Sequence, residues 1–410
     1  THVVLVSGKR GYGKCLSGDT LIQLEDGSLE RIDKLKNNIK SVYALNKKLK
    51  IIKANKTEFF EREIDEILQI KLRSGKEIKL TPEHPLLTIK GWKEAQSLHV
   101  GSRIATPRIL PYFGNKNLED YVIKLFAYLI SECHTKEFGF SNSDECLTMD
   151  FEDSLNKLDN NIEFAKESST KITTGMKTQY KNVSIKALIE KYNLSNNMST
   201  QKDIPADVMK LPKEKLALFL NRLFSCDGSI YHTSQGCCEI SYSSSFENMI
   251  RAVQNLILRF GILSILRRKA IENVDNKLYN FELVIVEENV LKFIEDIGFF
   301  GEKNKLEKSA LKYYKSNTLS PTADTIPKEI WELYNPDNPA EICKEFSYAY
   351  SEKIIDKAMH FSTGQTLLQI AKVDQNNSMQ LLVKSDIFWD EIISVELIEG
   401  KNRVYDLCVP

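Results

Sequence analysis

The chain holds 410 residues, enough for two or three domains, and its 42% hydrophobic content fits globular packing and excludes a disordered or fibrous protein. Its 56 basic residues balance 56 acidic ones, so bulk charge lends no support to tight nucleic-acid binding, and such a partner would have to be met by a locally segregated basic face. No stretch approaches the roughly 18 consecutive apolar residues of a membrane span, and the N-terminus lacks a charged segment followed by an apolar core, so a cytoplasmic protein with no membrane partner is expected.

Residues 3–14 read as an apolar strand, Val3-Val4-Leu5-Val6, followed by the G-x-x-x-x-G-K part of a phosphate-binding loop, with Gly8, Gly13 and Lys14 in register. The next position should carry a Ser or Thr hydroxyl for Mg²⁺, and it is Cys15. From Cys15 to about residue 108 short apolar runs alternate with turn signals. Thr20–Leu24 runs into Glu25-Asp26-Gly27-Ser28, and Leu68–Leu72 meets Arg73-Ser74-Gly75-Lys76 before Glu77–Leu80, which predicts β-hairpins.

After Pro107 and Pro111 the pattern changes. Residues 121–130 and 216–224 have helical length and spacing, whereas 239–242 and 281–285 are strand-like, so a mixed α/β region is expected to roughly residue 330. Residues 331–385 read as mainly helical, with Pro336 and Pro339 in a loop. Ile392–Leu397 and Arg403–Val409 then read as two strands around the turn Glu399-Gly400-Lys401-Asn402, so the first, β-rich domain is expected to be discontinuous. Eight cysteines, Cys15, Cys133, Cys146, Cys226, Cys237, Cys238, Cys343 and Cys408, form no C-x-x-C pair and have no His at zinc-ligand spacing, which argues against a metal knuckle or a disulfide framework.

Three stretches resemble the inteins, protein domains that excise themselves from a host. They are Cys15-Leu16-Ser17-Gly18-Asp19-Thr20, the T-x-x-H of Thr81-Pro82-Glu83-His84 inside Gly75–Leu87, and Ser385–Ile392 with Arg403–Val409. The resemblance implies that Cys15 is the first nucleophile, attacking the Lys14 carbonyl, that His84 protonates the departing nitrogen, that Thr81 helps polarise the carbonyl, and that Asp406 assists. Splicing would need no cofactor. An intein ends in a His-Asn pair followed by Ser, Thr or Cys, and this sequence stops at Pro410. Complete splicing is therefore expected to need residues beyond 410, with Ser or Thr next so that excision restores the phosphate loop.

Two further segments, Leu125–Cys133 and Leu216–Ile230, resemble the paired LAGLIDADG helices of homing endonucleases. This implies Glu132 and Asp227 as the acids of a Mg²⁺ site acting on double-stranded DNA, with Arg267, Arg268 and Lys269 contacting phosphates. Ala127 and Ser131 stand where Gly is usual, and Cys133 occupies a third Gly position.

The implied fold is multidomain: a discontinuous all-β Hint splicing domain with an inserted α/β LAGLIDADG endonuclease domain and a small helical segment. Residues 1–14 would be host sequence, 15–110 and 386–410 the two parts of the splicing domain, 111–330 the endonuclease, and 331–385 a linker or DNA-contact element. The expected partners are the covalently attached host segments and target DNA, with Gly8, Gly13 and Lys14 meeting ATP only in the spliced host, and the chain is expected to be a monomer. Two alternatives stay open. One is a cleavage-only or splicing-dead Hint domain whose insert binds DNA without cutting it. The other is a Hedgehog-type autoprocessing domain, which leaves the paired helices unexplained.

Overall fold

The computed structural model describes residues 14–37, 40–56, 58–110, 112–132, 140–160, 165–168, 176–179, 183–192, 203–232, 238–271, 278–316, 326–327, 329–330 and 377–409. Two compact units emerge from the contacts. Thr1–Glu25, Leu29–Leu110 and Ser320–Pro410 form the first, and Asp26–Ser28 with Pro111–Leu319 form the second.

The first unit is built of strands. In chain order these are β1 (Leu16–Ser17), β2 (Leu21–Gln23), β3 (Leu29–Arg31), β4 (Val42–Leu45), β5 (Ile51–Ala54), β6 (Glu58–Leu72), β7 (Glu77–Leu80), β8 (Pro85–Thr88), β9 (Gly91–Glu94) and β10 (Arg103–Pro107). A short helix at Asn377–Val383 and a 22-residue strand at Ile387–Cys408 complete it. The predicted hairpins form: β2 pairs with β3, and β6 with β7 through Leu68↔Leu80 to Lys71↔Glu77. Gly75 turns the second of them at φ 82°, a value that suits a residue without Cβ.

One expectation fails in an informative way. Ile392–Leu397 and Arg403–Val409 are not two strands folded back at Glu399–Asn402. The chain runs on as one strand, antiparallel to β6 from Ile392↔Leu72 to Cys408↔Glu58, and Gly400 and Lys401 sit in a register shift. The reason is a partner long enough to take both halves, since β6 alone spans 15 residues. A bulge absorbs the extra residues where a hairpin would have reversed the chain. The same long strand also pairs with β10 at its start and with β1 near its end.

Alternation along these strands buries one apolar face. Leu16, Ile70, Leu80, Ile392 and Leu407 share a core with Ile22, Leu24 and Ile32. Each such aliphatic side chain contributes about 1.5–3 kcal/mol on burial.

In the second unit α1 (Asp120–Glu132) packs on α4 (Lys213–Asp227), and both predicted helices are present. Between them lie β11 (Phe140–Asn142), α2 (Glu145–Leu158), β12 (Ala165–Ser168), β13 (Met176–Gln179) and α3 (Val183–Lys191). After α4 come β14 (Gly228–His232), β15 (Cys238–Ser244), α5 (Glu247–Leu258), β16 (Ile265–Ile271), β17 (Leu278–Val286), α6 (Glu288–Asp296) and α7 (Lys303–Ser316). The helix at Asn377–Val383 is α8, and the strand at Ile387–Cys408 is β18. The expected strands at 239–242 and 281–285 fall inside β15 and β17.

The four-stranded sheet runs β14-β15-β17-β16, all antiparallel. Ile230, Ile240, Tyr242, Leu283 and Ile285 are buried on one side of it, and α5 and α6 pack on its strands. A buried charge ties the helices together. Asp150 on α2 accepts from Arg222 Nε of α4 at 2.8 Å and from Lys124 Nζ and Tyr128 Oη of α1 at 2.7 Å each. Against the upward pull of burial, these donors hold the Asp150 carboxyl below its usual range. Residues 331–376, the bulk of the expected helical segment, lie outside the described residues. So do Gly8 and Gly13.

Candidate active site

Cys15 sits at the entry to β1, with only 4% of its surface exposed. Two pairings hold the strand that follows it, because Leu16 lies opposite both Tyr405 of β18 and Leu80 of β7. Strand β7 thereby delivers Thr81 to Cys15, and the two residues bond twice. The Thr81 N–H donates to the Cys15 carbonyl at 3.0 Å, and the Cys15 N–H donates to Thr81 Oγ1 at 3.2 Å. The resemblance assigned Thr81 to the carbonyl of the Lys14–Cys15 peptide, whereas the hydroxyl contact described is with its nitrogen.

Thr81-Pro82-Glu83-His84 is a β-turn closed by a 2.9 Å bond from the His84 N–H to the Thr81 carbonyl. Proline at its second position presets the backbone for such a turn. The Ala95 N–H to the His84 carbonyl and the Gln96 N–H to the Pro82 carbonyl, both 2.9 Å, pin it from the far side. The turn carries the imidazole back onto the backbone carbonyls of Lys14 and Cys15, which favour its charged form. Burial outweighs them and, with the Lys14 ammonium nearby, pulls the His84 pKa down to about 4. The ring is therefore neutral near pH 7 and a strong acid once protonated.

Burial also raises the Cys15 thiol, and the Arg62 guanidinium opposes it through its charge and a hydrogen bond, while Asp406 and Glu83 push the thiol further up. Asp406 is itself raised by burial, partly offset by the Leu407 N–H, 2.8 Å from its Oδ1, and by Lys14. The structure thus brings Lys14, Cys15, Thr81, His84 and Asp406 together. Arg62 was missed by the sequence reading. It stands in the charged run Glu61-Arg62-Glu63, where no local signal separates it from its neighbours, and only the strand register reveals its place. Cys408 is half-buried, at the end of β18.

In the second unit Asp227 is the last residue of α4, and the buried Tyr242 hydroxyl hydrogen-bonds to it. Glu132 ends α1, and its side chain is outside the described residues. Among the described residues no group of three or more His, Cys, Asp or Glu is arranged to hold a metal ion. Asp227 alone offers the hard oxygen donor that Mg²⁺ prefers.

The run Arg267-Arg268-Lys269 does not act as one patch. It lies on β16, and strand alternation sends Arg268 to the face opposite the other two. Arg268 stacks 3.5 Å from the centroid of the Tyr279 ring, and Lys269 pairs with Glu282 at 2.7 Å. Arg267 shares its face with Ser229, Tyr231, Glu239, Ser243 and Glu282 through the register of the sheet.

In the first unit a cysteine has its own amide held by a threonine hydroxyl and its preceding carbonyl faced by a histidine. That arrangement addresses a peptide bond of its own chain, and so defines a self-processing domain. The intein splicing domain family matches residues 22–410, and the chain belongs to that family. Its relatives include the replication factor C small subunit of Methanocaldococcus jannaschii, 26% identical across 98% of this chain and 23% of that protein. The replicative DNA helicase DnaB of Rhodothermus marinus is also 26% identical, across 97% of this chain and 44% of that one. The chain thus spans less than half the length of these relatives. Among solved structures, the DnaB intein from Synechocystis is 33% identical over 23% of this chain and 69% of that chain, with a TM-score of 0.22. No helix among the described residues is long and apolar enough to cross a membrane.

Proposed function

We propose that this intein splices through a thioester formed at Cys15. Cys15 Sγ bonds to the carbonyl carbon of Lys14 and the bond from that carbon to the Cys15 nitrogen breaks. One proton moves from sulfur to nitrogen, by way of the Asp406 carboxylate and the His84 imidazole, so the step consumes no outside acid or base. The observation that carries this reading is the bond from the Cys15 N–H to Thr81 Oγ1 with His84 on the same peptide. That nitrogen is the leaving group. The bond to Thr81 Oγ1 fixes the orientation of that peptide, and a protonated His84 beside it would supply the proton the nitrogen needs as it departs.

The test is release of residues 1–14 from the folded chain by dithiothreitol or hydroxylamine, followed by mass spectrometry. Release that disappears in Cys15→Ala supports the thioester. A leader that stays attached in the parent chain, or release that survives Cys15→Ala, overturns it.

The host is read as a P-loop ATPase interrupted between Lys14 and its missing hydroxyl partner, in keeping with relatives named as a replication factor and replicative helicases. Gly8, Gly13 and Lys14 would cradle ATP phosphates only after splicing.

For the second unit we infer a LAGLIDADG-type endonuclease that cleaves the uninterrupted host gene. Support comes from α1 and α4, which pack together and each end in an acid, Glu132 and Asp227. Those acids would hold Mg²⁺, which supplies water activation and stabilises the leaving oxygen. Arg267 and Lys269, on one sheet face, are the phosphate contacts, whereas Arg268 stands on the opposite face against Tyr279. Cutting of a DNA duplex that carries the uninterrupted host sequence, abolished by Asp227→Asn, supports cleavage. Binding without cutting by the parent chain favours a DNA-binding insert that has lost its chemistry.

A further inference from the structure

We propose that Arg62 is the counter-ion of the Cys15 sulfur, holding it as the anion that attacks the Lys14 carbonyl. This rests on the thioester reading above and adds a residue that no splicing motif contains.

The placement follows from register. Strand β1 pairs with β18, and β18 with β6, so Ser17, Val404 and Arg62 form one row across three strands. Paired residues share a face of the sheet. Cys15 lies two residues before Ser17 and takes the same face, as its packing against Val404 demonstrates. Arg62, on β6, therefore approaches the Cys15 neighbourhood from the far side of the middle strand, β18. Strands β1 and β6 stand two spacings of about 4.8 Å apart, a gap that the long arginine side chain reaches into from the β6 side, and the guanidinium charge favours the ionised sulfur.

Every other charge on this sulfur opposes ionisation. Asp406 of β18 and Glu83 of the Thr81–His84 turn both disfavour the anion, as does burial. Lys14 acts on Asp406 and His84. With Arg62 removed, nothing in the set offsets two carboxylates and a low-dielectric pocket. The exposed strand position lets Arg62 be replaced without opening the core.

The test uses the full chain and two readouts. In the first, alkylation of Cys15 by iodoacetamide is followed peptide by peptide across pH. Arg62→Met should move the midpoint upward by about one unit, and Arg62→Lys by less, because one unit corresponds to tenfold in thiolate fraction. In the second, release of residues 1–14 by dithiothreitol at pH 7 should slow roughly tenfold in Arg62→Met and approach the parent rate again at high pH. Arg62→Lys keeps the positive charge and serves as the second variant where Arg62→Met folds poorly, its midpoint falling between those of the parent and Arg62→Met. Superposable alkylation profiles for parent and Arg62→Met, or an Arg62→Lys midpoint raised as far as that of Arg62→Met, overturn the proposal. A parent chain that alkylates as expected yet releases no leader overturns the thioester reading and leaves the Arg62 contact standing.

Discussion

At the scale of single residues, the site is organised around one amide nitrogen. Thr81 receives its N–H, so Thr81→Val, which keeps the shape and loses the acceptor that positions the peptide, should slow leader release roughly a hundredfold, and Thr81→Ser should restore most of the rate. Quantifying the freed peptide against time separates the two. His84 carries a second expectation, about stability. Its pKa is 6.5 in an unfolded chain and about 4 here. Between those values the unfolded chain binds the extra proton, so stability rises with pH through that window. The contribution is complete above about pH 6.5 and is lost as pH falls to 4, with an upper bound of about 3 kcal/mol. Urea unfolding at pH 7 and pH 4.5 should show a smaller difference for His84→Gln than for the parent. An unchanged difference would mean that the ring is not held neutral by the fold.

At the scale of elements, the sheet depends on a buried carboxylate that sequence reading passed over. Asp390, 1% exposed on β18, accepts from the N–H of Ser74 at 3.2 Å and from its hydroxyl at 2.5 Å, fastening the β6–β7 turn to β18. Arg73 and Glu391 add a two-pronged pair beside it, at 3.1 and 2.8 Å. Asp390→Ala should lower the unfolding free energy by about 2–3 kcal/mol, since it strands a buried hydroxyl and amide, whereas Glu391→Ala, whose partner Arg73 is exposed, should cost under about 1 kcal/mol. Chemical denaturation of both variants is the check. What the sequence revealed here was local: the β2–β3 and β6–β7 hairpins, the Thr81–His84 turn, the apolar spacing of α1 and α4. What it hid was non-local. Whether Glu399–Asn402 reverses the chain or bulges depends on the length of β6, more than 300 residues earlier. Arg62 gains meaning from a row of partners rather than from its neighbours. Arg267, Arg268 and Lys269 look like one basic patch in print, yet the two-residue period of a strand divides them between faces.

At the scale of the whole molecule, the units carry separate stabilising devices. In the second unit, Asp150 meets Arg222, Lys124 and Tyr128 where both acid and arginine are only about a tenth exposed. Asp150→Ala leaves two cations facing each other without a counter-charge, and should destabilise that unit by about 3–5 kcal/mol. Calorimetry should record the loss in that unit's transition, with leader release from Cys15 at low temperature unchanged. Equal losses in both would contradict the division into units.

Strand β18 has one more consequence, and it concerns time. Ribosomes emit Cys15 well before Ile387–Cys408, yet the early strands β1, β6 and β10 all need that later strand to close their sheet. A nascent polypeptide therefore carries the Cys15 sulfur through the synthesis of the second unit without the strand that completes its surroundings. Synthesis of β18 acts as the clock for closing that sheet, however early the other strands are made.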